Sequence, residues 1–445
     1  MEKYKKSFDI FESKFVYIYL SLILFFSYLT VKNFSNYLKP FEDEITSMLS
    51  GISFIQTLDF DGSPLILGNY SPNLTSGPLA SFGSSIGWLI SKDFSVSRQF
   101  NFIYLVLLAF LLISLNKNLL NSGYMQNLFF VIFSIFLTPW WFGSLYSLGE
   151  LFSIILFFYS ALLIDKKPFL SIFLMSSSIV FGKLLQILVV VPFLLIFIFK
   201  RKNTDYLKYF ISFISPFMLY SFLIIFKSDY ENIYSYLTEY VDIVFSHQSS
   251  GLGNYNVFNL SNITKNINNS EFNQWSSITK LRLIFSPILI LFISAFEFKN
   301  IDRLINHQLL GLLLSIFSAY FWFLFISDTK WIRYSQHFTY IIISITLIIL
   351  FNKTNLSKLS YALIILNLAL FLSSTLIFVI FIFTAYLFRS SKNLFFILTL
   401  TLFINLVNVY LESSTLEYYD LNFESCKNSI RSLECIKDYL PYELK

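Results

Sequence analysis

Twelve long apolar runs constrain this chain more than any other feature of its sequence. A bilayer core about 30 Å thick is crossed by a helix of about 20 apolar residues. The runs therefore predict an all-α polytopic membrane protein. The run at 360–388 could form one tilted helix or two short helices joined near Ser373 and Ser374, which gives twelve or thirteen crossings. The runs lie at 15–31, 101–115, 127–142, 151–164, 169–181, 185–199, 209–226, 283–297, 308–327, 338–351, 360–388 and 393–411.

The composition agrees with a membrane protein. Hydrophobic residues make up 56% of the chain and charged residues only 13%, against about 25% charged in an average soluble domain. The net charge of +5 comes from short basic clusters between the runs, which indicate membrane topology rather than a nucleic-acid partner. The sequence has no P-loop and no His or Cys spacing typical of a metal site, so we predict no cofactor and no metal.

The basic clusters also predict the orientation, because cytoplasmic loops carry an excess of Lys and Arg. The N-terminus is then cytoplasmic, and the long loops 32–100 and 227–282 face outward. Residues 1–411 form the membrane domain. The tail 412–445 holds more acidic than basic residues together with Cys426 and Cys435, which favours a periplasmic tail with a disulfide between the two cysteines.

An acidic cluster, Glu42-Asp43-Glu44, follows the first run. After it, apolar and uncharged polar residues occupy opposite faces of a helical pattern up to residue 56. The pattern predicts a helix that lies in the membrane interface, with Asp43 and Glu44 in its first turn. An acidic residue at a helix start is often only a cap, and the sequence leaves that alternative open.

The segments after this helix come in a definite order. A turn-rich stretch, SPNLTSGPLA at 71–80, is followed by a second apolar helix at 79–90 and by KDFSVSRQFNFIYLVLLAF at 92–110, which enters the second run. This order resembles the first periplasmic loop of GT-C glycosyltransferases. These multi-spanning enzymes use polyprenyl-phosphate sugars, and they include protein O-mannosyltransferases and lipid A aminoarabinose transferases. The resemblance is good over 15–115 and weaker over 127–351.

The resemblance implies roles for several residues of the first half. Asp43 matches the family's catalytic acidic residue and Glu44 its neighbour. Glu150 resembles a second acidic position that orients substrate, although the dipole of the helix that it begins explains it equally well. Arg98 matches a substrate-binding arginine. Many relatives also carry a basic residue beside the loop proline, but here the loop contains Thr75-Ser76-Gly77-Pro78, so a phosphate contact from this loop would need backbone N–H groups or would be lost.

Two later segments carry candidate phosphate-binding residues. Lys183 is the only charged residue between Lys167 and Lys200, and it resembles a lysine that precedes the proline-containing helix of relatives; alternatively it marks an outward hairpin tip. The segment SDTKWIRYSQHF at 327–338 resembles a basic segment with a tyrosine. It implies that Arg333, Tyr334 and His337 bind substrate, with a bidentate contact from Arg333 to phosphate. Snorkelling of charged side chains at the interface is the alternative.

Together these residues predict a membrane glycosyltransferase. It would move a sugar, with inversion, from a polyprenyl phosphate to a glycan, lipid or protein acceptor at the periplasmic face, with Asp43 as general base. A polysaccharide repeat-unit polymerase is an alternative that would depend on arginines in later loops. A lipid-linked sugar flippase or transporter would need polar residues deep inside the crossings, where this sequence has mostly Leu, Ile and Phe.

Overall fold

The structure is a computed structural model, and it describes most of the predicted helical runs. The run 127–142, most of the loop 227–282 and the tail after residue 414 lie outside the described residues. The described residues are 18, 21–22, 24–33, 35, 42–58, 76–104, 106–108, 110–111, 114, 149–200, 205–227, 234–235, 237–238, 241, 277–297, 303–327, 332–352, 357–372, 375–387 and 394–414.

Helices form at every predicted run within the described residues. Helical residues occur within 18–35 and 102–114. The first half of the chain also contains α1 (Glu42–Thr57), α2 (Phe82–Ser91), α3 (Phe94–Gln99), α4 (Glu150–Leu163), α5 (Pro168–Ser177), α6 (Ile187–Lys200) and α7 (Tyr206–Lys227). The second half contains α8 (Ser277–Glu297), α9 (Arg303–Phe321), α10 (Gln336–Asn352), α11 (Lys358–Ala369), α12 (Thr375–Leu387) and α13 (Leu394–Ser414).

Local sequence signals begin several of these helices. The Asp93 carboxylate accepts a hydrogen bond from the backbone N–H of Val96 at 2.8 Å and caps α3. Ser357 caps α11 in the same way through the N–H of Ser360. Pro168 begins α5, where its missing N–H costs nothing. These ends follow directly from residue type.

The run 360–388 forms two helices rather than one. The first helix, α11, ends at Ala369 and the second, α12, begins at Thr375. The Tyr361 hydroxyl, near the start of α11, donates to the carbonyl of Ala385, near the end of α12, at 3.3 Å. The two helices are therefore antiparallel, as expected for the hairpin alternative. The side of the membrane on which the tail lies stays a prediction.

Two helices end in π-helical turns at the same end of the bundle. After α5 the chain continues through a π turn, Ser178–Gly182, and then through extended Lys183 and a 3₁₀ turn, Leu184–Gln186, into α6. A second π turn, Trp322–Ile326, follows α9. Such interruptions are frequent at functional sites, and the first of them gives Lys183 a backbone conformation that a continuous helix would not allow.

The helices pack in one bundle around a continuous apolar core. Along the bundle, α6 packs against α9, α5 against α4 and α7, and α8 against α10 and α11. Large apolar side chains also cover the outside, and Phe226 on α7 is 72% exposed. A helix that is hydrophobic on all sides is typical of a membrane span.

Length and mean hydropathy identify two of the described helices as candidate membrane spans. These are Tyr206–Phe226, with a mean hydropathy of 1.9, and Gln308–Ile326, with 2.3. Six further apolar helices contain between 10 and 17 residues. Two of them, Pro168–Gly182 and Leu184–Lys200, include the first π turn and the 3₁₀ turn, and extended Lys183 separates them.

The helix predicted after the acidic cluster is confirmed, but its polar face is not free. It is α1, and it begins at Glu42. Ser81, just before α2, donates to the Ser47 carbonyl, and Ser85 donates to the Met48 carbonyl at 3.0 Å. A Cβ at Gly51 would lie 2.3 Å from Ser85 Oγ. Small residues let the two segments approach closely, and Ser47, Ser50 and Gly51 of α1 are buried.

A network of buried polar side chains lies in the middle of the bundle. Ser286 on α8 donates to the Asn367 side-chain oxygen on α11 at 2.6 Å. Asn367 donates to Thr346 on α10 at 3.0 Å, and Thr346 donates to the Ile342 carbonyl at 2.7 Å. These side chains are fully buried. We call Ser286, Asn367 and Thr346 the mid-bundle network; it ties three helices together and the apolar runs gave no sign of it.

Candidate functional site

The candidate site is built where three backbone segments touch: the loop at 76–80, the start of α4 and the end of the first π turn. The N–H of Gly77 donates to the Gly182 carbonyl at 2.8 Å. Gly149, which precedes α4, has φ +93, and a Cβ there would lie 2.8 Å from the Gly182 oxygen. Since an L side chain fits neither this space nor this φ, glycine is required at 149. The contact places Ser76, Glu150 and Lys183 side by side in the chain's fold.

Lys183 lies at the centre of this contact. Its ammonium donates to Ser76 Oγ at 2.6 Å, Ser76 and Lys183 form an antiparallel bridge, and Lys183 is only 4% exposed. A lysine that only marked a hairpin tip would be solvated. The burial therefore argues against that alternative, because a buried ammonium is costly unless it has partners.

Lys183 brings a positive charge to the loop that contains Ser76. The loop at Thr75-Ser76-Gly77-Pro78 has no cationic side chain, but the ammonium of Lys183 reaches it from a distant part of the chain. The N–H of Gly77 is donated to Gly182, so it does not provide the backbone contact considered from the sequence. The positive charge at this loop therefore comes from the residue that follows the π turn.

Next to Lys183, Gln186 and His337 are joined by a hydrogen bond. The His337 Nδ1 and Gln186 Oε1 atoms lie 2.6 Å apart, and both side chains are buried. His337 lies within electrostatic range of Lys183. Gln186 was not among the residues predicted from the sequence; its only signal was a polar residue at the head of the apolar stretch ILVVVPF.

A second group of polar residues lies beside the first. Glu150 and Arg282 both lie within electrostatic range of Tyr340, and Tyr340 lies three residues after His337 on α10. We call the seven residues the polar cluster: Ser76, Glu150, Lys183, Gln186, Arg282, His337 and Tyr340. The start of α10 carries both His337 and Tyr340 and so connects the two parts of the polar cluster. Helix α4 packs against α10.

Arg282 is the main residue that the sequence did not single out. It is 2% exposed, it lies on α8, and its guanidinium carbon is 5.9 Å from the centre of the Phe371 ring. Its Nε atom is buried and has no hydrogen-bond partner in the described part of the chain. A charged residue at the start of the run 283–297 was the available signal, but the same signal is common at membrane interfaces.

The remaining predicted residues are only partly described. The backbones of Asp43 and Glu44 lie in the first turn of α1, and that of Arg333 lies in the 3₁₀ turn Ile332–Ser335, but their side chains lie outside the described residues. Cys426 and Cys435 lie in the tail, also outside it. Their roles stay predictions.

Arg98 and Tyr334 are described, and both are buried. Arg98 donates from Nη1 to the Ser35 carbonyl at 3.3 Å, and so ties α3 to the end of the first membrane helix. The Tyr334 ring contacts the Trp322 ring of the second π turn edge-on, with the centroids 5.7 Å apart. These contacts give Arg98 and Tyr334 structural roles, and their predicted substrate contacts stay predictions.

The polar cluster has a chemistry suited to an anion with a polar substituent. Two buried cations, Lys183 and Arg282, lie with one carboxylate, Glu150, at the same end of the helices. Ammonium and guanidinium groups in a site of low dielectric stabilise phosphate oxygens strongly. The imidazole, the amide and the phenol add neutral hydrogen-bonding groups.

Comparisons with known proteins show which known fold this chain resembles. No protein-family model matches the chain, and no curated protein matches it. The crystal structure of ArnT from Cupriavidus metallidurans in the apo state is similar over 91% of this chain and 78% of that chain, with a TM-score of 0.53 and 10% sequence identity. ArnT is a GT-C lipid A aminoarabinose transferase. The chain therefore has the all-α polytopic GT-C-like membrane fold.

Proposed function

We propose that this protein is a membrane glycosyltransferase that moves a sugar from a polyprenyl phosphate to an acceptor hydroxyl at the periplasmic face of a bacterial inner membrane. The observation that carries the proposal is the buried ammonium of Lys183, hydrogen-bonded to Ser76 at 2.6 Å at one end of a GT-C-like helix bundle. A buried cation in a membrane protein is costly and so indicates a function.

The reaction is a single displacement. The acceptor oxygen attacks the anomeric carbon of the sugar, and its proton passes to the carboxylate of Asp43. The bond between the anomeric carbon and the phosphate oxygen breaks, and the phosphate leaves with the electron pair. Because attack and departure occur on opposite faces of the anomeric carbon, the configuration inverts.

The cations of the polar cluster support this reaction. Charge grows on the phosphate as the bond breaks, and fixed positive groups aimed at developing charge are commonly the largest contribution to catalysis. Lys183 and Arg282 are both almost fully buried, so water screens their charges little. Glu150, in the first turn of α4, would orient the acceptor or the donor.

The packing of α1 supports a role for the acidic cluster. Ser81, which follows the loop with Ser76, donates to the carbonyl of Ser47 on α1. Asp43 precedes Ser47 by one helical turn, about 6 Å along the axis. The second turn of α1 thereby contacts the segment that follows the loop receiving the Lys183 ammonium, which supports a base at Asp43 near the phosphate.

Asp43→Asn tests the proposal. The assay measures transfer from a panel of radiolabelled polyprenyl-phosphate sugars to a cell-envelope extract, with purified protein in lipid nanodiscs. General base catalysis contributes about 10²- to 10⁴-fold, so we expect turnover to fall by that amount with little change in the KM for the donor. Glu42→Gln removes the same charge from the adjacent position, which has no assigned role, and should retain normal turnover.

Two results would contradict the proposal. Turnover near the wild-type rate in Asp43→Asn would exclude Asp43 as the base. If Asp43→Ala retained activity while Arg333→Ala abolished it, a polysaccharide repeat-unit polymerase would be the better assignment, since it would depend on arginines of later loops.

A further inference from the structure

The Gln186–His337 pair is the part of the polar cluster to which the reaction assigns no role. Gln186 is 0% exposed and His337 is 3% exposed, and one hydrogen bond of 2.6 Å joins them. The Nε2 atom of Gln186 and the Nε2 atom of His337 are both buried without a hydrogen-bond partner in the described part of the chain. A buried polar atom of this kind commonly has a water, an ion or a ligand as its partner.

The two groups left without a partner, the Gln186 amide and the Nε2 atom of His337, together offer a donor and an acceptor. If Nδ1 of His337 donates to Oε1 of Gln186, the Gln186 amide keeps its N–H donors and Nε2 of the neutral imidazole accepts. If the amide is rotated, Gln186 donates to Nδ1, its oxygen is the free acceptor, and Nε2 of His337 donates. Both assignments suit a group that donates and accepts at once, which is the property of a hydroxyl.

The pair lies next to the proposed phosphate-binding cation along the backbone. Gln186 follows Lys183 by three residues across a 3₁₀ turn, and its N–H donates to the Lys183 carbonyl at 2.9 Å. His337 reaches the same region from α10 and lies in electrostatic range of Lys183.

We propose that the Gln186–His337 pair is a specificity subsite that binds one hydroxyl of the sugar carried on the lipid phosphate. The proposal rests on the proposed function and names the part of the donor that these residues contact. A polyprenyl phosphate sugar has three parts: an apolar chain, a phosphate and a sugar. The chain offers no hydrogen bonds and the phosphate, as the ionised diester, only accepts them. The sugar is the part whose hydroxyls both donate and accept, next to the phosphate.

Gln186→Met tests the subsite, because methionine has a similar length and cannot replace the amide. The donors are polyprenyl-phosphate mannose, glucose and galactose, together with their singly deoxygenated analogues. Sites built to bind a hydroxyl discriminate strongly against analogues that lack it. For the preferred sugar, we expect the wild-type kcat/KM to fall at least about 100-fold for one deoxy analogue. The variant should lose a similar factor with the complete sugar, while its kcat/KM for that analogue stays within about twofold of wild type.

Equal losses on every donor would overturn the subsite, since they would mean that the pair has a structural role or binds only a water molecule. Ser315→Ala is the matched control: Ser315 is buried and donates to the Val189 carbonyl, on the helix after Gln186, at 2.7 Å. Its loss should lower stability without changing the preference between sugar and analogue.

Binding of polyprenyl phosphate alone separates failure of the subsite from failure of the proposed function. Suppose that wild type transfers sugar and that wild type and Gln186→Met bind polyprenyl phosphate equally. If the variant then keeps the wild-type preference for the complete sugar over its deoxy analogue, only the subsite is wrong. If wild type neither binds polyprenyl phosphate nor transfers any sugar, the proposed function is wrong and the subsite is overturned with it.

Discussion

The molecule contains two buried polar groups that differ in how completely they are hydrogen-bonded. In the mid-bundle network, the side chains of Ser286, Asn367 and Thr346 satisfy one another and a backbone carbonyl. In the polar cluster, the Nε atom of Arg282 and the Nε2 atoms of Gln186 and His337 have no partner within the described residues. Both groups are equally inaccessible.

This difference separates a structural role from a binding role. A satisfied network repays the cost of burying its polar atoms and holds α8, α10 and α11 in one arrangement. Buried polar atoms without partners cost about 1–3 kcal/mol each, so a fold keeps them only where something else compensates. Substitutions in the two groups should therefore have opposite consequences for activity and stability.

Among the buried cations of the polar cluster, the larger effect is expected for Lys183→Met. Loss of the ammonium removes a fixed charge from the leaving phosphate, so we expect turnover to fall by about 10²- to 10³-fold. Transfer from polyprenyl-phosphate sugar measures it. Lys208→Met is a matched loss of one positive charge, because Lys208 is largely exposed and pairs only with Asp205, three residues earlier, among the described ion pairs. It should leave turnover unchanged, and a similar fall in both variants would contradict the role of Lys183.

A smaller effect on turnover is expected for Arg282→Met. We expect kcat/KM to fall about 10- to 100-fold, which corresponds to about 1.4–2.7 kcal/mol of lost transition-state binding. The melting temperature should stay constant or rise, because the substitution removes a buried Nε atom that has no hydrogen-bond partner within the described residues.

Arg282→Lys provides the comparison for that variant. It keeps the positive charge but loses the planar guanidinium, so it should recover only part of the activity. A fall in melting temperature with unchanged kcat/KM in Arg282→Met would instead assign Arg282 to the structural class. Thermal unfolding and steady-state kinetics on the same preparation distinguish these results.

The smallest effect on turnover is expected for Asn367→Leu in the mid-bundle network. Ser286 would lose its acceptor, at a cost of about 1–3 kcal/mol in the free energy of unfolding. At temperatures well below unfolding, kcat and KM should match the wild type. Thermal unfolding in nanodiscs measures the destabilisation. A loss of activity without loss of stability would show that this network belongs to the catalytic machinery after all.

Much of the fold followed from local patterns in the sequence. Apolar runs predicted the helices of the described residues, and the serines near 373 predicted the break between α11 and α12. The alternating faces after Glu42 predicted α1. Such features depend on neighbouring residues, and hydrophobic period and length are enough to predict them.

The site was predicted less completely. The sequence singled out Glu150, Lys183 and His337, and the structure brings all three into the polar cluster, while their roles stay predictions. Arg282 and Gln186 were not singled out, because a single charge or amide at the start of an apolar helix has many ordinary explanations. The sequence predicted an uncharged polar face on α1 but not its contacts, in which serine hydroxyls of the α2 segment donate to carbonyls of α1.

The amino-acid sequence by itself determined that this chain forms apolar helices, where most of them begin and end, and which charges lie at their ends. Only the tertiary structure decided that the Lys183 ammonium lies on Ser76, 107 residues away, and that His337 pairs with Gln186, 151 residues away. Helix formation depends on contacts within a few residues. The pairing of distant polar side chains depends on how whole helices pack, and no local pattern contains that information.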